Sequence, residues 1–217
     1  MAQAPKGRAG HTRGPSRRRS PPHPAPAAGR IPRRARREDA VGAMVTLRPM
    51  LVDDLFHFNS VNLDSFTETF NMSFYLNYLT RWPECCAVAE AADGSIAGYI
   101  IGKVEGKGKE WHSHVSAISV APEFRRTGIA NRLMDEFHEI SETIHDNYFC
   151  DLFVRPTNKA AIGFYEGLGY VVFRTVAGYY SGEEDAFDMR KPLKRDTVQE
   201  SIKGAGKRVQ PEDVVFR

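Results

Sequence analysis

The sequence predicts an α+β domain with a mixed central sheet flanked by helices. Three observations carry that expectation. Short apolar runs bounded by turn residues recur from Val45 to Arg190. Two stretches, Ile129 to Ile144 and Lys159 to Leu168, carry helical spacing instead. Turn signals join the strands between Cys86 and Val120, and the helical stretches follow Val120 and Val154, so the sheet is expected to be mixed. No internal repeat interrupts this pattern.

In chain order, Val45 to Leu47 reads as a first strand that Pro49 ends. Val52 to Leu63 is expected to be helical, with Leu55, Phe56, Phe58 and Asn59 at helical spacings. Phe66 to Phe70 reads as an acidic, aromatic connection containing Glu68, and Phe74 to Leu79 as a second helical patch ending near Trp82-Pro83. Cys86 to Ala89 is strand-like. Asp93-Gly94 is a hairpin signal, Ile96 to Val104 the next strand, and Gly106 to Lys109 a flexible basic turn. Trp111 to Val120 returns as a long strand, completing an antiparallel meander. Leu133, Phe137, Ile140 and Ile144 give the following helix its apolar stripe. Tyr148 to Val154 is a buried-looking strand broken by Pro156, and Asn158 is placed to cap the helix that Gly169 ends. Tyr170 to Tyr180 and Ala186 to Arg190 are the last strands. Residues 191–217 are mostly polar and read as a C-terminal tail, flexible in character.

The chain has 217 residues, room for one substantial domain and tails. Its formal charge of +3 conceals two unlike parts. Residues 1–43 carry 11 Lys or Arg against only Glu38 and Asp39, so the rest of the chain is net acidic. A basic nucleic-acid-binding domain is thereby disfavoured. The leader holds seven prolines and no aromatic residue, too little apolar surface to offset the entropy of ordering. It reads as disordered. Its few acidic groups keep a transit peptide in view, although it lacks a clear amphipathic apolar stripe as well as the apolar stretch of a signal peptide. The plainer reading is an optional or alternative-start leader. Met44 stands directly before the first strand, so the folded domain is expected to span residues 44–190. No run approaches the roughly 18 apolar residues of a membrane span. Cys85, Cys86 and Cys150 are odd in number and two are adjacent, which argues against a disulfide scaffold and fits an intracellular, reducing compartment. They also lack zinc-ligand spacing.

The stretch with the most chemistry is Ser119 to Ala130. An apolar strand ends at Pro122, and Arg125-Arg126-Thr127-Gly128-Ile129-Ala130 leads into a helix. Gly128 permits a left-handed backbone and Ala130 a close approach, so backbone N–H groups at the helix start can cradle a phosphate. The turn alone does not fix a cofactor. It lacks the Lys-Ser/Thr ending of a nucleotide phosphate loop and the three glycines of a dinucleotide fingerprint.

That loop matches the pattern Arg/Gln-x-x-Gly-x-Gly/Ala. Further signatures run from Asp53-Asp54-Leu55-Phe56 through Thr67-Glu68-Thr69, Trp82-Pro83-Glu84 and Glu110-Trp111-His112 to Asp151-Leu152-Phe153-Val154-Arg155, Leu168-Gly169-Tyr170 and Asp188-Met189-Arg190. On these residues the chain resembles the GCN5-related N-acetyltransferase superfamily and, within it, the catalytic subunits of NatB N-terminal acetyltransferases. The resemblance covers nearly all of residues 44–200. It implies that fold, acetyl-CoA as cofactor, and no metal. The pantetheine arm would lie along Ile118, Ser119 and Val120, with sheet core as the alternative role of Ile118 and Val120. The pyrophosphate would lie at Arg125, Arg126, Thr127, Gly128, Ile129 and Ala130. Asn158 would orient the cofactor as well as cap its helix. Tyr165 would protonate the departing thiolate or orient its sulfur, and an unperturbed tyrosine pKa near 10 suits donation.

The resemblance also implies the acceptor: the α-amine of proteins beginning Met-Asp, Met-Glu, Met-Asn or Met-Gln. His114 would recognise the second side chain or hold the water that takes the proton. Glu68, Thr69 and Phe70 would form one substrate wall and Tyr179 with Tyr180 the other; Phe70 stands where the family has a tyrosine. His112 is expected to point away from His114 along its strand, so the two do not form a metal pair. Cys150 reads as core. The implied partners are a large helical-repeat auxiliary subunit, nascent protein N-termini and the ribosome, with no membrane and no sequence-specific nucleic acid, in the cytoplasm. The shared cofactor loop leaves open a lysine or small-molecule amine acetyltransferase, or a noncatalytic acetyl-CoA-binding partner.

Overall fold

A computed structural model describes residues 45–63, 67–180 and 182–214. The basic leader and Phe66 lie outside the described residues. Eight strands form one sheet in the order β1-β2-β3-β4-β5-β7-β6-β8. They are β1 (Val45–Pro49), β2 (Cys86–Ala91), β3 (Ile96–Glu105), β4 (His112–Val120), β5 (Phe149–Val154), β6 (Val171–Tyr180), β7 (Glu184–Pro192) and β8 (Lys207–Val209). Three α-helices accompany them: α1 (Met72–Arg81), α2 (Ile129–Thr143) and α3 (Lys159–Gly167). β2, β3 and β4 form the expected meander and β1 adds antiparallel to β2; β4 with β5 and β6 with β8 are the parallel pairs.

The β2–β3 hairpin is closed by the signal that predicted it. Gly94 adopts φ +83, and Asp93 Oδ1 accepts the Ser95 N–H at 3.0 Å. β3 is buried on both faces because helices cover both. Ile100 faces a cluster with Leu133, Met134 and Phe137 of α2, while Tyr99 and Ile101 face Leu55, Phe58, Tyr75 and Tyr78. This is the two-residue period of a strand read out as two cores. Gly102 is required at the first of them: a Cβ there would come within 2.4 Å of the Phe137 ring.

Two expectations are corrected. Val52 to Leu63 is not one helix but two 3₁₀ turns, Val52–Phe56 and Asn59–Asn62. Leu55, Phe58 and Val61, all buried, recur every third residue, which is the 3₁₀ period. Asp54 ties the first turn down: it accepts the Leu51 N–H at 2.7 Å and two bonds from Arg48 at 2.8 Å. The second correction concerns residues 191–217. Ordered structure continues past residue 190: β7 runs to Pro192, Leu193 is buried, and Asp196 accepts the N–H groups of Glu200 and Ser201. β8 then pairs with β6. A three-residue edge strand needs only backbone bonds, and its Lys207 and Arg208 suit a solvated edge, so its side chains carry no core signal.

Candidate active site

The site arises where two neighbouring strands stop pairing. β4 and β5 pair from His112↔Phe149 to Val115↔Leu152 and no further, although β4 runs on to Val120 and β5 to Val154. The cause lies on the other side of β4. Gly102 of β3 opposes Val115 and Ile101 opposes Ala117, so Ser116 is an extra, bulged residue. A bulge bends its strand and re-aims the side chains around it. Ser116 Oγ donates to Tyr78 Oη at 2.9 Å, fixing the bend against α1.

The splayed strands enclose a cleft in three portions that share walls. The outer portion, about 520 Å³, is bounded by Val120, Phe124, Arg125 to Asn131 and Phe164. Arg126 (φ 63) and Gly128 (φ 85) both hold left-handed conformations. No atom lies within 4 Å of where a Cβ on Gly128 would stand, so its requirement is conformational rather than steric. The first helical bond of α2 is from Arg132 N–H to Gly128 O at 3.1 Å. The N–H groups of Ile129, Ala130 and Asn131 therefore precede the helical ladder at the cleft wall, a donor set suited to an anion. Thr127 Oγ1 closes the loop by donating to Phe124 O. Arg125 Nε donates to Val120 O at 3.0 Å, which fastens the loop to the end of β4.

The two inner portions, about 280 and 160 Å³, share Thr67, Ile118, Asn158, Ala161 and Tyr165. Asn158 caps α3, accepting the Ala161 N–H at 3.1 Å, so the expected cap and a place on the cleft wall coincide. Burial, reinforced by Tyr180 and Cys150, pushes the Tyr165 hydroxyl well above its ordinary range. It keeps its proton at neutral pH and can act only as a hydrogen-bond or proton donor toward a developing anion. Ser119, on the same wall, engages its hydroxyl with Thr67 and the Val61 carbonyl, at 3.0 and 3.3 Å.

The expected substrate walls are partly redrawn. Glu68, Tyr180 and Arg155 bound the innermost portion. Arg155 donates to Glu68 at 2.6 Å and to Glu184 at 2.5 Å, and its guanidinium lies 3.9 Å over the Tyr180 ring. Thr67, rather than exposed Thr69, lies on the cleft wall. Phe70 stacks on Phe74 of α1 at 4.0 Å. Tyr179, half-exposed, stacks on Phe153 at 4.7 Å.

His114 precedes the bulge and packs against Phe153, which lies on the cleft wall. Its Nδ1 lies 2.8 Å from Asp151 Oδ1 on β5. His112 Nε2 lies 3.7 Å from the same oxygen, so the expectation that the two histidines diverge is corrected. Residues two apart on a strand share a face. Desolvation disfavours the charge on each buried partner. It lowers the His112 pKa; for Asp151 it is outweighed by His114, His112 and Arg190, which hold the carboxyl below its ordinary range. Asp188 of β7, burdened by burial and by Asp151, is pushed up to about 6.

Asp151, Arg155 and Thr67 are the members that carried no role in the sequence. All three stand in conspicuous motifs, but strand alternation does not say which cross-strand neighbour a carboxylate or guanidinium meets. Away from these residues, Glu84, Cys85 and His145 bring ligand-type atoms within 4.8 Å of one another. Burial pushes the Cys85 thiol up to about 12, so it holds its proton beside the 3.1 Å Glu84–His145 pair.

Comparison with known proteins agrees with this geometry. The sequence pattern of the acetyltransferase (GNAT) family matches residues 55–170. N-alpha-acetyltransferase 20 of Dictyostelium discoideum is 55% identical over 78% of this chain and 98% of its own. The crystal structure of Chaetomium thermophilum Naa20 with a bisubstrate analogue is 41% identical, covers 78% of this chain and 99% of its own, and superimposes with a TM-score of 0.74. A NatB acetyltransferase complex bound to CoA and MES contains a chain 43% identical, covering 68% of this chain and 99% of its own, with a TM-score of 0.63. With the Gly128 loop, the splayed strands and the buried tyrosine in the positions described, this chain belongs to the acetyltransferase (GNAT) family and, within it, to the catalytic subunits of NatB, the N-terminal acetyltransferases.

Proposed function

We propose that the chain transfers acetyl from acetyl-CoA to the N-terminal α-amine of proteins beginning Met-Asp, Met-Glu, Met-Asn or Met-Gln. The observation that carries this reading is the cleft between β4 and β5, with anion-binding N–H groups at one end and Tyr165 and Asn158 inside. When bound, acetyl-CoA supplies the thioester that the amine attacks. The N–H groups of Ile129, Ala130 and Asn131 hold its phosphates, and Ile118 and Val120 flank its arm. Tyr165 donates toward the thiolate that departs. Asn158 supplies an amide N–H₂ for the acetyl oxygen while its own oxygen is engaged in the cap. An α-amine with a pKa near 8 is about one-tenth neutral at pH 7, so positioning and a water beside His114 suffice without a strong base.

Tyr180, Glu68 and Arg155 bound the acceptor end, with His114 meeting the second side chain. The arm before β2 supports an auxiliary subunit as partner. Phe56 and Leu63 are 65% and 82% exposed, and Leu51, Val52, Met72 and Leu76 are exposed with them. Large apolar side chains gathered on one segment mark an interaction surface. The NatB complexes among the structural relatives support an assembly of this kind. A large helical-repeat subunit, action on nascent chains at the ribosome and a cytoplasmic location complete the reading. No helix among the described residues is long and apolar enough to cross a membrane.

The test is acetyl transfer to peptides beginning Met-Asp, with Met-Leu, Ser-starting and internal-lysine controls, by the chain alone and with its auxiliary subunit. Selective α-amine acetylation of Met-Asp is expected. Transfer only to lysine, or acetyl-CoA binding without transfer, would overturn the assignment.

A further inference from the structure

One cluster of metal-ligand chemistry stands outside the function proposed above. Glu84 and Cys85 lie in the 3₁₀ turn Pro83–Cys85 that leads into β2, and His145 lies just beyond the end of α2. His145 Nε2 is 3.1 Å from Glu84 Oε1 and 3.8 Å from Cys85 Sγ, and the three ligand-type atoms all fall within 4.8 Å of one another. A single N–H cannot point in line at both the oxygen and the sulfur. A nitrogen lone pair aimed between them can share a cation with both. Zinc bonds of about 2.0–2.1 Å to nitrogen and oxygen and about 2.3 Å to sulfur set tetrahedral edges of about 3.3 Å (N to O) and about 3.6 Å (N to S). The observed 3.1 and 3.8 Å lie close to these values. The half-exposed Glu84 side chain has the torsional freedom to close the remaining edge to the sulfur.

The backbone around these ligands is held in place. Trp111 Nε1 donates to His145 O at 2.8 Å, and Arg195 donates to Asp146 O at 2.7 Å. Asp146 (φ 48) takes the left-handed conformation that ends the helix. On the other side, the Cys85 N–H donates to Trp82 O at 3.0 Å. Cys86 is no competitor for the ion. Its thiol donates to Trp82 O at 3.4 Å, and it packs with Tyr99 and Ile101, whereas Cys85 packs in the cluster of Ile100 and Phe137.

We propose that Glu84, Cys85 and His145 form a three-ligand zinc site, with solvent as the fourth ligand, that clamps the end of α2 to the start of β2. Thiolate and imidazole select zinc over magnesium or calcium, which take oxygen ligands. On binding, the Cys85 S–H bond breaks, the sulfur bonds to the metal, and the proton passes to solvent. Burial that keeps the free thiol protonated does not prevent this, because a coordinated dication deprotonates it outright. The partly exposed carboxylate and imidazole give the ion its entry path. None of the three residues bounds the β4–β5 cleft, so the site is structural rather than catalytic. Cysteine spacing carries no trace of it, because the histidine stands 60 positions from its cysteine.

The experiment titrates Co²⁺ into the metal-free full-length chain under a thiol-free reductant and then displaces it with Zn²⁺. One equivalent per chain should produce a sulfur-to-cobalt charge-transfer band in the near ultraviolet, lost as Zn²⁺ is added. The band requires a thiolate, so histidines elsewhere in the chain do not contribute to it. Cys85→Ser should abolish it, and Cys86→Ala should keep it. His145→Gln and Glu84→Gln, both at partly exposed side chains, should each weaken binding about tenfold or more. Zn²⁺ at about a hundredfold over its Kd should raise the wild-type Tm by about 5 °C or more, and that of His145→Gln by far less. Absence of the band in the wild type would overturn the proposal. So would a band and an affinity left unchanged by His145→Gln and Glu84→Gln, whether or not Cys85→Ser folds.

Discussion

The two ends of the β4–β5 pair are made from the same two strands and do opposite things. At the His112–Val115 end the ladder is closed, and the sheet there buries charge: Asp151, Asp188 and Arg190 are each at most 3% exposed. Beyond Ser116 the ladder is open, and backbone and side chains face a cleft. One extra residue separates the regimes. A closed ladder satisfies its backbone internally and so can support a polar network beneath the site. An open one leaves room for a cofactor, at the cost of a ladder bond or two. On the proposed function, the closed end is the support and the open end the place for chemistry.

If that division is right, damage at the open end should appear in turnover and damage at the closed end in stability. Tyr165→Phe is expected to have the largest effect, lowering kcat on the order of 10²-fold with little change in Tm. Steady-state kinetics beside a thermal melt would check it; equal losses in kcat and in stability would erase the distinction.

A smaller effect is expected from Asp188 at the closed end. Its folded pKa, about 6, lies above the ordinary aspartate value of 3.8, so the folded state holds the proton longer than the unfolded one. The stabilisation this provides is complete below the unfolded pKa and is lost as pH rises through about 6. The stability of the wild type relative to Asp188→Asn should therefore decline from about pH 4 to about pH 7, by on the order of 1–3 kcal/mol. Paired denaturant titrations at several pH values would show it, and a rising difference would reverse the assigned shift. Asp151, whose folded pKa is lowered, contributes the opposite slope below the ordinary carboxylate range.

The smallest effect belongs to the mouth, where neither description fits. Arg155, 36% exposed at its side chain, joins Glu68 before α1 to Glu184 of β7. Because the pairs are solvent-screened, Arg155→Gln should cost under about 1 kcal/mol of stability. It should raise the peptide KM a few-fold and leave that for acetyl-CoA unchanged, as competition between the two substrates would reveal.

Much of this was legible beforehand. β3, α2, α3 and the Asp93-Gly94 hairpin follow from periodicity and turn chemistry, and the loop from Arg125 to Ala130 follows from a glycine where a helix begins. Val52 to Leu63 misled because periods of three and 3.6 barely diverge over one or two turns. The segment after residue 190 misled because edge strands pair through backbone, which composition does not record. That Thr67 lines the cleft while Thr69 is exposed could not be read beforehand, because a loop has no periodicity to say which way a side chain turns.

By itself the sequence determined the local order of the elements, the Gly128 turn at the start of α2 and the family, because propensity, apolar spacing and motif are properties of neighbouring residues. The tertiary structure alone decided that Ser116 is the residue at which two strands part. It alone brought Asp151 beneath His114 and His112, and Arg155 across to Glu68 and Glu184. Those are relations between residues 37 to 87 positions apart, except for the Arg155–Glu184 link of 29. Contacts at such separations depend on register and on strand order, which no local pattern encodes.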